Sequence, residues 1–271
     1  MIQQAVDLSQ ESQSLYELMK PLSGDQFQRR TQFKNWTFND VLGHLHVWNQ
    51  AAALSATDEA AFGQFLEEVM VAVSSGSLRA FEDGQLKGLA GPELLETWYS
   101  CVIDMEERLG ECDPKRRVKW VGPDMSIRSS LTARHMETWA HGLAVFDALG
   151  IDRQDQDRIR NIAVLGINTY GWTFANRKLP APDPRPFVKL TAPSGEVWEW
   201  GEADQTDRIE GSATGFCQTV TQVRNVADTD LVVTGDHATS WMSLAQCFAG
   251  PPVPPPEPGT RFVTRQDALD S

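Results

Sequence analysis

His44, Glu137 and His141 are the residues whose types and spacing best fit one chemical task, the holding of a divalent metal ion. Glu137 and His141 are four residues apart, so on a helix they leave one face about one turn apart and can grip a single ion. Two such donors fill half of a tetrahedral shell, and a third must come from elsewhere. The chain has five histidines, of which His44 and His46 are the obvious donors. His44 shares the stripe of Val41, Leu45 and Trp48, whereas His46 lies roughly 200° round the same helix, so helix phase favours His44. For a lone histidine the commoner state is a hydrogen-bonded, partly buried imidazole; it is the three residues together that suggest a site. Two imidazoles and one carboxylate leave a fourth position open to water or substrate, whereas structural zinc is usually closed by four protein ligands. An ion held this way can lower the pKa of bound water to about 7, deprotonate a thiol or polarise a carbonyl oxygen. On the donor set alone the ion stays open, since a His/Glu/His site can take Zn2+, Ni2+, Fe2+ or Mn2+.

Helices must position these residues, and the first half of the chain reads as helical. Leu8, Leu15, Leu18 and Met19 mark a first helix ending before Pro21. Thr37 and Asp40 form a capping arrangement that opens a second. A third segment, about 58–72, carries Phe62, Phe65 and Val69 and stops at Ser74-Ser75-Gly76. Gly91-Pro92-Glu93 opens a fourth, running to about Leu109 with Leu94, Leu95, Trp98, Val102 and Met105 inward. The clearest helix spans 127–149, carries Glu137 and His141, and is closed by Gly150. On it, Trp139 and His135 point away from the candidate metal. Another helix, roughly 155–177, packs Ile159, Ile162, Leu165, Ile167 and Trp172. Trp36, Trp48, Trp98, Trp139 and Trp172 read by default as core aromatics.

The segment 179–186 holds four prolines in eight residues and reads as an extended connector. It divides a helical metal-binding domain, 1–178, from a small α+β domain, 187–250, with an irregular tail at 251–271. In the second domain, 187–191, 197–200 and 230–234 read as strands, and about 212–225 and 238–248 as helices.

With 24 Lys plus Arg against 37 Asp plus Glu, the formal charge is −13, which disfavours nucleic acid and anionic membranes as partners. The start of the sequence lacks the pattern of a signal peptide and no apolar run is long enough to span a membrane, so a cytoplasmic location is expected. The four cysteines are scattered with no CxxC pair, so they are expected reduced, with Cys101 and Cys217 acting as small core residues.

Two stretches, Asn35-Trp-Thr-Phe-Asn-Asp-Val-Leu-Gly-His-Leu45 and Arg134-His-Met-Glu-Thr-Trp-Ala-His-Gly142, resemble the metal-binding N-terminal domain of the mycothiol-dependent maleylpyruvate isomerase family, within the DinB/YfiT-like superfamily. The resemblance implies an N-terminal DinB-like four-helix bundle followed by a small α+β, sterol-carrier-like domain. In the family the corresponding His, Glu and His are zinc ligands, which land on His44, Glu137 and His141. Ile209-Glu-Gly-Ser-Ala-Thr-Gly-Phe-Cys217, Gln222-Val-Arg224 and Leu231-Val-Val-Thr-Gly-Asp236 are similar to its second domain. There the family has an arginine important for activity, which implies a catalytic role for Arg224; Val223 stands where the family usually has glycine. The implied function is a metal-dependent, thiol-utilising isomerase or S-transferase. Its partners would be a small, acidic substrate and a low-molecular-weight thiol as cosubstrate. A metal-dependent hydrolase and a non-catalytic metal-binding protein stay open on the residues alone, and no sequence feature sets the oligomeric state. Arg128 and Arg134 are further candidates for meeting an anion, although helix arginines are usually solvated or paired.

Overall fold

The computed structural model describes residues 1–265; the end of the expected tail, 266–271, lies outside them. The chain forms two compact units, Met1–Val145 and Phe146–Ser271.

The first unit is built from α1 (Gln3–Met19), α2 (Phe38–Thr57), α3 (Glu59–Ser74), α4 (Leu78–Leu86), α5 (Gly91–Gly110) and most of α6 (Ile127–Leu149). Helices α1 and α2 pack on α5, and the α3–α4 pair lies against α2. Helix α6 joins through Arg134, whose Nε donates to Asn49 Oδ1 of α2 at 3.0 Å, and His135, whose Nε2 is 3.9 Å from Glu11 Oε2 of α1. The bundle core takes Leu8, Leu15 and Met19 from α1, Leu42 and Leu45 from α2, Trp98 and Met105 from α5, and Leu131 and Trp139 from α6. Trp98 and Trp139 are fully buried, and each removes on the order of 150–250 Å² from water.

Local chemistry sets the helix ends that matter for the site. The Thr37 side chain accepts from Asp40 N at 3.1 Å, and Asp40 Oδ2 accepts from Thr37 N at 2.8 Å, a reciprocal capping box that starts α2 seven residues before His44. Pro92 lies in the first turn of α5, where its missing N–H costs nothing. Helix α6 ends where Gly150 turns left-handed at φ 77°. A short hairpin, β1 (Arg117–Val118) with β2 (Met125–Ser126), precedes α6.

The second unit carries α7 (Arg160–Asn168), α8 (Tyr170–Ala175), α9 (Ala213–Val220), α10 (Asp236–Leu244) and a four-stranded sheet. Its strands are β3 (Phe187–Thr191), β4 (Val197–Trp200), β5 (Arg208–Ser212) and β6 (Val232–Thr234), in the order β4-β3-β5-β6. Only the β3–β5 pair is parallel. Helix α9 leaves β5 directly, capped by Ser212, and packs on β3, β5 and α7. The proline segment 179–186 lies inside this unit, between α8 and β3.

Two elements were not anticipated, and one expected helix is corrected. The break at Ser74-Ser75-Gly76 is followed by a further helix, α4, whose short length and mixed composition hid it. The helix expected over 155–177 is a 3-10 turn at Asp157–Ile159 followed by α7 and α8. It breaks at Thr169, whose hydroxyl bonds back to the Leu165 and Gly166 carbonyls, a competing local bond that disfavours continuous helix. The break changes the helix phase, so Trp172, expected in the packed face, is 41% exposed. Strand β5 was unforeseen because its Glu-Gly-Ser end lacks strand propensity.

Among the described residues, no helix is long and apolar enough to cross a membrane. None of the four cysteines is in a disulfide. Burial, with a smaller contribution from Asp104, pushes the Cys101 thiol up to about 11, and burial pushes Cys217 well above the ordinary thiol value. Because the thiolate is the reactive form, Cys101 is expected to alkylate roughly 100-fold slower at pH 8 in the native protein than in urea. Mass-resolved labelling with iodoacetamide checks this; equal rates in the two states would refute it.

Candidate metal centre

The capping box delivers His44 on the second turn of α2, and α6 presents Glu137 and His141 one turn apart. One donor atom from each residue lies within 4.8 Å of the others. Glu137 Oε2 sits 3.0 Å from His141 Nε2 and 3.6 Å from His44 Nε2. Two donors bound tetrahedrally to one zinc at its usual bond lengths lie about 3.4 Å apart, so these spacings fit one shared ion. The donor chemistry fits as well, since two imidazoles and a carboxylate suit a borderline divalent cation. All three side chains keep partial solvent exposure, between 13% and 22%, which leaves room for a fourth ligand. His46 does not join this group. It is buried at 4% exposure, its Nδ1 has no hydrogen-bond partner among the described residues, and burial lowers its pKa.

Burial raises the Glu137 pKa, but hydrogen bonds to His141 and His44 and the charge of Arg134 overcome it, holding the carboxyl well below the ordinary value. His44 responds to the same balance: burial pushes it down, and Glu137 and Glu82 more than restore it. For His141 burial wins, assisted by the charge of His44, and its pKa falls. Glu137 is thus held ionised beside the two imidazoles, the state in which a carboxylate can ligate a divalent cation.

Several neighbours were not foreseen. Glu82, on α4, accepts from His44 Nδ1 and from Trp48 Nε1, each at 2.8 Å. Arg79, one turn earlier on α4, pairs with Asp40 and lies 3.2 Å from Asp83. Its guanidinium sits over the Trp36 ring at 5.2 Å. Trp36, expected in the bundle core, instead stacks on His141 at 5.5 Å between centroids and 12° between planes. Phe33 meets the same imidazole edge-on at 4.9 Å. Arg134 is buried rather than solvated, and one of its terminal nitrogens, Nη2, has no hydrogen-bond partner among the described residues. Arg128 is exposed. His135, which stands outside the donor group, is fully buried. The only local signal for the aromatic wall was that Phe33 and Trp36 immediately precede the Thr37 cap.

Arg224 lies in the second unit with a resident partner. Its Nη2 donates to Asp147 Oδ1 at 2.6 Å and its Nη1 to the Val223 carbonyl at 3.1 Å. Both side chains are buried. Burial raises the Asp147 pKa, and the hydrogen bond from Arg224 only partly offsets it. A substrate carboxylate would have to displace Asp147 to reach this guanidinium.

A family profile described as the mycothiol maleylpyruvate isomerase N-terminal domain matches residues 8–146, nearly the span of the first unit. Two uncharacterized proteins of Mycobacterium tuberculosis, from strains CDC 1551 / Oshkosh and ATCC 25618 / H37Rv, are each 39% identical over 249 residues, covering 91% of this chain and 95% of theirs. A crystal structure of a histidine-to-alanine mutant of the mycothiol-dependent maleylpyruvate isomerase superposes with a TM-score of 0.50 at 13% identity, covering 80% of this chain and 87% of that one. At that identity the likeness speaks for the fold alone: a DinB-like helical domain followed by an α+β domain.

Proposed function

The chain belongs to the mycothiol maleylpyruvate isomerase N-terminal domain family, and from that premise we propose that it is a metal-dependent, thiol-utilising isomerase or S-transferase acting on a small, acidic metabolite. The observation that carries this reading is the convergence of His44, Glu137 and His141 from two helices onto one open, partly exposed point. Zn2+ is the ion we assign to it, and a low-molecular-weight thiol of the mycothiol type is the cosubstrate.

A divalent ion held by these three side chains would supply Lewis acidity, favouring the thiolate form of a bound thiol at neutral pH. The protein's own part is preorganisation. Glu137 places its carboxylate between the two imidazoles, 3.0 and 3.6 Å from their Nε2 atoms, so all three donors face one point. Trp36 and Phe33 pack on the His141 ring, restricting its rotation and drying that side of the site. Arg134, buried beside Glu137, adds a positive charge that favours anionic thiolate or substrate near the centre. Hydrolysis would need a free general base as well. Asp40, the nearest candidate on α2, is committed to the Thr37 backbone and Arg79, which argues against that second reading.

Cobalt substitution tests the assignment. Adding mycothiol to the cobalt-loaded protein is expected to produce a thiolate-to-cobalt charge-transfer band, absent from the His141→Ala variant. Cobalt binding with no spectral response to mycothiol, glutathione or bacillithiol would refute the thiol reading, and ester or amide hydrolysis without thiol would replace it with the hydrolase.

A further inference from the structure

Glu82 is a carboxylate at 2% exposure on α4, outside the three-residue donor group. Burying a charge this deeply is costly unless its oxygens are matched by donors. They are. Oε1 takes both the His44 Nδ1 and the Trp48 Nε1 bonds at 2.8 Å, and Oε2 lies 3.5 Å from Arg79 Nη1. Helix α4 also approaches α2 closely beside His44: a Cβ on Gly43 would come within 2.7 Å of Leu86 Cδ1, so glycine there leaves the space that α4 fills.

The consequence for His44 follows from what each group can do. An ionised carboxylate only accepts, so His44 Nδ1 must carry the proton it shares with Glu82. The lone pair of the neutral ring is then on Nε2, the nitrogen that faces Glu137 Oε2. The second bond, from Trp48, anchors the acceptor oxygen itself, so the group that orients His44 is itself held in place.

We propose that Glu82 is a positioning residue of the metal centre: its carboxylate fixes His44 with Nδ1 protonated and Nε2 turned to Glu137 and His141, and so sets the affinity of the site for a divalent cation. This rests on the metal assignment made above. A carboxylate that orients a ligating histidine typically accounts for about 10–100-fold in metal affinity. The competing account makes Glu82 only an anchor between α4 and α2, which would alter stability and leave metal affinity alone.

Zinc dissociation constants of the full chain, measured by competition with a chromophoric chelator, separate the two. Glu82→Gln keeps an acceptor oxygen and loses the charge, and its affinity is expected to fall about 10-fold; Glu82→Leu loses both, with a fall nearer 100-fold. Asp83→Asn, an exposed neighbour on α4, is the charge control and is expected to stay within about twofold. Nitrogen NMR of the metal-free protein is expected to show His44 protonated at Nδ1, with Glu82→Leu shifting it toward the Nε2-protonated form. Wild-type zinc affinity in Glu82→Gln and Glu82→Leu, whether or not the metal-free melting temperature shifts, would overturn the positioning role. Wild-type protein that binds no zinc, with Nδ1 still protonated on His44, would instead overturn the metal assignment and the affinity role with it.

Discussion

Alanine at His44, Glu137 or His141, each introduced singly, is expected to lower metal affinity by more than about 100-fold, so that metal analysis after dialysis falls from one ion per chain to near none. The magnitude comes from dividing a typical binding free energy. Zinc sites release about 10–16 kcal/mol, so one ligand in three carries about 3–5 kcal/mol, and each 1.4 kcal/mol is about tenfold. That exceeds the loss expected for Glu82 variants, which disturb a ligand's orientation and leave its donor atom in place. The three variants will differ in the metal-free protein. Glu137→Ala also removes the carboxylate next to buried Arg134, so it should lower stability, whereas His141→Ala mainly opens space against Trp36 and Phe33. Glu137→Gln loses the same charge but keeps the side-chain volume and an acceptor oxygen, so its stability against Glu137→Ala separates charge loss from cavity formation. Full metal content in all three alanine variants would eliminate the centre.

Breaking the Arg224–Asp147 pair is expected to cost about 3–5 kcal/mol, because both groups are buried and removal of one leaves the other charge uncompensated. Asp147→Asn should be the more damaging single change. It leaves Arg224 beside Arg261, whose own pKa is already lowered by burial and then by Arg224. The double variant Arg224→Met, Asp147→Leu should recover most of the loss, since a well-packed apolar pair often replaces a buried ion pair at little cost. Urea midpoints measure all three. If the single changes each cost under about 1 kcal/mol, the pair behaves as a solvated surface bridge and Arg224 becomes available to a substrate acid.

The same pair makes a pH prediction. Asp147 has a raised folded pKa, burial being the larger cause. A carboxyl raised this way binds protons more readily folded than unfolded, so the stability it gives is fully present below the ordinary value of 3.8 and is lost as pH rises through the folded value. Arg224→Met removes the main opposing contact and raises that pKa further. Its destabilisation is expected to be smaller at pH 5 than at pH 8.

Everything decided within a turn or two of chain was legible in the residues. The four-residue spacing puts Glu137 and His141 on one helix face, Thr37 and Asp40 specify where α2 begins, and Gly150 specifies where α6 stops. The alternation in Phe187–Thr191 and Val197–Trp200 specifies the β3–β4 hairpin. Local backbone sterics and side-chain caps act over such distances, so a pattern can report them. Glu82 was not legible. It lies 38 residues from His44 on a helix whose sequence looks solvated, and an acidic residue bound for the interior reads like one bound for water. The partner of Arg224 is 77 residues away, and the stacking of Trp36 on His141 joins a loop to a distant helix. Those pairings depend on which helix faces meet when the bundle closes. Only tertiary packing decides that, because burial is what turns an ordinary carboxylate, tryptophan or arginine into a group that must find a specific partner.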